Sequence, residues 1–144
     1  MTIEAAILNL QAKWLSIDGV NSAPDYPPES PGAYPFAVTY ERRGRLAGRS
    51  FGFGDEIALL FSELHVARTM LPRDIQAVMP FRDQFIALLI ADPTLGGTVS
   101  TITPEGVSWT FGRLGWGQES TSQEPNTIGY RFEIEVKVPQ RLTP

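Results

Sequence analysis

The chain has 144 residues and a mass of 15.9 kDa, a size that accommodates one hydrophobic core and not two. Its apolar fraction of 42%, charged fraction of 19% and formal charge of −4 are those of a folding domain, and a pI near 5.0 removes the domain-wide basic footprint of a nonspecific nucleic-acid binder. The absence of cysteine excludes disulfides, thiol catalysis and zinc ribbons, and a single histidine, His65, excludes a histidine-rich metal cluster.

The opening MTIEAAILNLQAKWL places Ile3, Ile7, Leu10 and Trp14 at three- and four-residue steps behind Thr2, which predicts a short amphipathic helix with Thr2 as its N-cap. An early Glu4 and the lack of a basic leader read as neither signal peptide nor membrane span. Residues 21–35, NSAPDYPPESPGAYP, contain five prolines, which fix φ and remove donors, so an extended arm or ordered loop is expected there, with its two tyrosines docking against something.

Residues 36–40 read as a short strand, and 57–66 (IALLFSELHV) as a strand central enough to be covered on both faces. Between them ERRGRLAGRSFGFGD, with four arginines and four glycines, predicts a flexible hairpin loop at about 42–55. Helical spacing runs through Ile75, Val78, Met79, Arg82, Phe85, Ile86 and Leu89, with Pro80 inside it, so the expected helix is 81–91, with 73–79 a separate or kinked piece. Strands follow at 98–102 and 107–111, then a turn-rich stretch at 112–126, then 127–138. In this last segment Ile128, Tyr130, Phe132, Ile134, Val136 and Val138 alternate with polar residues and glycine, one face on a core and one in water. The sum is a single α+β domain over 1–144, a mainly antiparallel or mixed sheet with two amphipathic helices on one face and a long hairpin loop.

Chemistry is sparse. The glycines of GRLAGRSFGFGDE lack the Gly-Lys-Ser/Thr and the strand-to-helix passage of a phosphate loop. His65 has Glu63 two residues away on the same strand face, which orients an imidazole for base catalysis, but no nucleophile pattern accompanies it and a structural histidine is the better reading. The pairs Asp55–Glu56 and Asp74–Asp83 lack metal-ligand spacing, and neither a cofactor nor a catalytic residue is expected. The candidates for protein contact are Arg42, Arg43, Arg45 and Arg49, whose guanidiniums suit an acidic protein surface, with Phe51 and Phe53 beside them, and the tryptophans Trp109 and Trp116. Sequence-specific nucleic-acid binding and a membrane partner are not expected.

The segment ADPTLGGTVSTI resembles one in the tail terminator (tail completion) proteins of long-tailed bacteriophages, where an amphipathic helix ends in a D-P-x-L-G-G-x-V turn and feeds a strand. The element order is similar too: an N-terminal helix, a proline-rich lead into a Tyr-Pro strand (Tyr34-Pro35), a long apolar strand, a helix, and a final alternating strand (YRFEIEVKV). The likeness spans nearly the whole chain as an order of elements and is specific at 92–99. The arginine-glycine loop and 112–126 have no counterpart in it. What the resemblance implies is a non-enzymatic structural protein of the virion tail or neck, assembled in the host cytoplasm. It implies a homo-oligomeric, hexameric ring that caps the tail tube protein, stops tube elongation and meets the head-tail connector or stopper protein. The alternatives are another neck or tail component of the same fold, or a small-molecule-binding or hydrolytic domain using His65 with the Trp109/Trp116 region.

Overall fold

The computed structural model describes residues 1–28, 33–50, 53–67, 71–114 and 127–141. Helix α1 (Ile3–Ser16) starts where Thr2 accepts a hydrogen bond from the Ala5 amide at 3.1 Å, the N-cap expected from the sequence. It buries Ala6, Leu10, Gln11 and Trp14, with Ile3 and Ile7 packed at the margin. Strand β1 (Phe36–Ser50) and strand β2 (Phe53–Ala67) form an antiparallel hairpin, α2 (Leu71–Ala91) follows, and β3 (Thr101–Leu114) and β4 (Thr127–Arg141) pair antiparallel. The described sheet has four strands in the order β1-β2-β4-β3, so β2 and β4 lie in the middle and β1 and β3 form the edges. The fold is α+β.

Side-chain alternation divides the sheet into two faces. One face carries Ala58, Leu60, Ser62 and Leu64 of β2 beside Tyr130, Phe132, Ile134, Val136 and Val138 of β4, and both helices cover it. Trp14 stacks on Phe85 of α2 with ring centroids 3.7 Å apart, and both rings meet Phe132 edge-on. The core is thus β4 against Phe85 and Leu89 of α2, with Phe81 and Ile86 at its margin and α1 as its third side. Polar groups enter this interior as one satisfied chain. Trp14 Nε1 donates to Ser62 Oγ (2.7 Å), Ser62 pairs with Thr39 Oγ1 (2.8 Å), and Thr39 donates to Gln11 Oε1 (2.7 Å). Gln11 Nε2 then donates to the carbonyls of Pro24 (2.8 Å) and Ala37 (2.9 Å), tying the proline-rich segment and the edge strand to α1.

Three expectations change. Residues 42–50 and 53–55 are not a loop: Arg43 pairs with Leu59, Arg45 with Ile57 and Ala47 with Asp55, and β4 pairs with β2 as far as Phe53. Ladder hydrogen bonds on both sides of β2 override the weak strand preference of a glycine-arginine sequence. Helix α2 is continuous through Pro80, because Pro80 and Gln76, whose carbonyl the proline leaves without its usual donor, are both exposed to water. The strands expected at 98–102 and 107–111 are one strand, β3, interrupted by a register shift between Ile102 and Val107. The turn between α2 and β3 has positive φ at Leu95 (50°), Gly96 (68°) and Gly97 (82°), and Lys13 of α1 holds it through Asp92 at 2.8 Å. No helix among the described residues is long and apolar enough to cross a membrane.

Candidate interaction surface

The sheet face turned away from the helices has a polar centre. Glu63 and His65, fully buried, sit one above the other on β2, with His65 Nε2 2.9 Å from Glu63 Oε1. Arg131, opposite Glu63 in the β2–β4 ladder, donates through Nε to Glu63 Oε2 at 2.6 Å, and Tyr40 of β1 donates to the same oxygen at 2.9 Å. His65 Nδ1 lies 3.1 Å from Thr127 Oγ1, and Thr127 donates its hydroxyl hydrogen to the Leu114 carbonyl. Burial pushes the Glu63 carboxyl up, but the His65 hydrogen bond and charge, with those of Arg131, outweigh it and hold the group below the ordinary carboxylate range. Tyr40 is pushed up to about 12 by burial and by the Glu63 charge and hydrogen bond.

A hydroxyl, an imidazole and a carboxylate in line have the order of a nucleophilic relay, but here the line is closed. Thr127, His65 and Glu63 are fully buried, and the threonine hydrogen is directed at a backbone carbonyl. Both ring nitrogens of His65 already face oxygen atoms. The pairing of Glu63 with His65 was legible in the sequence. Tyr40, Arg131 and Thr127 were not, because only the strand register brings them there.

The contact candidates separate into two groups at opposite edges. Arg42 occupies the bulge between Glu41 and Arg43 in β1, and Arg43 and Arg45 follow on the face away from α1. All three are exposed and make no hydrogen bond or ion pair among the described residues. Leu46 beside them is 75% exposed. Arg49 falls within β1 and Phe53 begins β2, but their side chains, and Phe51 and Trp116 entirely, lie outside the described residues. Trp109 is on edge strand β3, across β4 and β2 from β1, about 14 Å away by strand spacing. It is 37% exposed, leans on Phe132, and lies under the Arg82 guanidinium at 5.1 Å. It projects from the helix-covered face, opposite to that of His65, so the two do not form one pocket.

The sequence reading missed the apolar surface that adjoins Trp109. Ile75 and Met79 have the helical spacing of core positions but are exposed, and they precede Arg82 on one flank of α2. Phe111 of β3 is 39% exposed two residues beyond Trp109. The signal was the width of the apolar stripe on α2, broader than the sheet beneath can cover. No protein-family model matches the chain, and no curated protein matches its sequence.

Proposed function

We propose that this chain is a structural subunit of a long-tailed bacteriophage virion, a tail terminator in type. It forms a ring, six-membered in the proteins it resembles, that caps the tail tube, stops addition of tube subunits and joins the tail to the head connector. The observation that supports this reading is the distribution of unsatisfied surface. Among the described residues, two sheet edges without a further strand lie on opposite sides of the sheet, one bearing Leu46 and three arginines that have no hydrogen bond or ion pair among those residues, the other Trp109 and Phe111. Unlike surfaces at opposite ends favour head-to-tail association, and such contacts close into a ring when the rotation per subunit divides the circle. Sheet edges with free N–H and C=O groups are ready-made sites for strand addition by a neighbour. The resemblance at 92–99 supplies the identity of the ring.

The test is electron microscopy of the purified chain, alone and with tail tubes of the phage that encodes it. Rings in solution and tubes capped at one end are expected. Replacing Arg42, Arg43, Arg45 and Arg49 by serine should abolish capping while leaving the melting temperature in place. A monomer at every concentration that leaves tubes uncapped overturns the reading.

A further inference from the structure

Between α1 and edge strand β1 lies a cleft of about 380 Å³. Ile3, Ile7 and Leu8 of the helix give it an apolar wall, Tyr26 stands over it, and Glu4, Asp25 and Glu41 rim it. All three carboxylates are exposed. Glu4 accepts the Tyr26 hydroxyl at 3.1 Å, and neither Asp25 nor Glu41 has a hydrogen bond or ion pair among the described residues. An apolar trough with a carboxylate rim fits a segment of aliphatic stems with cationic heads, the description of arginine side chains.

The same chain carries such side chains at Arg42, Arg43 and Arg45. It cannot fill its own cleft with its arginines, because Arg43 and Arg45 pair with Leu59 and Ile57 and so project from the sheet face opposite α1. We infer that the cleft is the receptor for the β1–β2 arm of a second copy, with the Arg43 and Arg45 heads on the Glu4, Asp25 and Glu41 rim and their aliphatic stems against the apolar wall. Three exposed cations and a carboxylate rim whose Asp25 and Glu41 have no hydrogen bond or ion pair among the described residues complement each other in charge, and each subunit offers one of each. Beyond Phe36, which bridges to Ser22, β1 has no strand partner on its outer side among the described residues, so an incoming strand can also pair with it. This inference rests on the reading that the chain assembles with itself, and assigns that assembly its contact.

The test is sedimentation velocity of the full chain over a range of concentration and salt. Three variants are compared with it: Glu4→Lys/Asp25→Lys/Glu41→Lys, Arg42→Glu/Arg43→Glu/Arg45→Glu, and the chain bearing all six changes. The wild type should assemble, less at high salt, because screening shortens to about 8 Å at physiological ionic strength. Each triple variant should weaken assembly about tenfold or more, and the six-fold variant should recover it. As a check independent of variant folding, the chain has no cysteine, so Arg45→Cys with Asp25→Cys should give disulfide-linked multimers under oxidation, and each single change no ladder. Wild-type assembly that neither triple variant disturbs, with no ladder from the cysteine pair, overturns the inference and leaves self-assembly standing. A wild type that stays monomeric at every concentration overturns both.

Discussion

Arg131 donates through Nε to Glu63 Oε2 at 2.6 Å across the β2–β4 ladder, so a buried carboxylate on one central strand is held by a cation on the other. The Glu63 side chain is almost wholly removed from water while Arg131 is about a third exposed, at 36%. Leaving one buried partner without the other costs more than the pair contributes.

The first prediction is pH dependence on the acid side. Glu63 has its carboxyl lowered in the fold, so its contribution is present above the unfolded value of 4.5 and is lost as pH falls through the folded value. The melting temperature should decline below about pH 4.5. In Glu63→Gln the neutral-pH stability should drop by about 3–5 kcal/mol, the range for breaking a buried pair, and the acid-side decline should shrink. An unchanged acid limb would show that other carboxylates govern it.

On the alkaline side Tyr40 acts with the opposite sign. Its folded value of about 12 stands above the ordinary 10.0, so its contribution is complete below pH 10 and is lost as pH rises towards 12. Tyr40→Phe should therefore flatten the stability profile between these limits. Absorbance titration of the phenolate should also lose a tyrosine that ionises late.

For the core, Phe132→Ala should cost about 3–5 kcal/mol and Leu89→Ala about 2–5 kcal/mol in denaturant unfolding. Phe132 is fully buried and touches Trp14, Phe85 and Trp109, so the emptied site has rigid aromatic walls on three sides. A loss below about 0.5 kcal/mol at either position would place that side chain outside the core.

Two paired glycines should respond in opposite ways. Gly129 faces Gly112 across the β3–β4 ladder. A Cβ on Gly129 would run into the backbone carbonyl of Leu64, whereas one on Gly112 would meet nothing within 4 Å. Gly129→Ala should destabilise by about 1–3 kcal/mol or more, since backbone must shift to admit the methyl. Gly112→Ala should be neutral or slightly stabilising by reducing the freedom of the unfolded chain. Equal effects in thermal melts would overturn this reading of the ladder.

How much the sequence disclosed follows from how local each determinant is. The alternation of β4 and the spacing of α1 are short-range patterns, and both elements have the faces those patterns assign. Phe81–Leu89 and the even-numbered residues of β4 were identifiable as partners because each is apolar on one side. The β1–β2 arm was misread because its strand character comes from pairing with β2 and β4, which glycine and arginine neither favour nor announce. Of the surface candidates, Arg42, Arg43 and Arg45 are as exposed as composition suggested. The acidic cleft joins residues from α1, the proline-rich segment and β1, and no window of the sequence contains all three.

The order β1-β2-β4-β3 also governs how the chain reaches its fold in time. The β1–β2 hairpin pairs residues close in sequence, but the ladder between β2 and β4 matches Phe53 with Arg141 and Ala67 with Thr127, with α2 and β3 lying between in the chain. Such distant pairings bear the full loop-closure entropy before any of their hydrogen bonds form, and proteins dominated by them fold slowly. Until β4 arrives, β2 has one side unpaired, and its Ile57–Leu64 stretch is the segment on which a chaperone or a misplaced strand of another nascent chain would act.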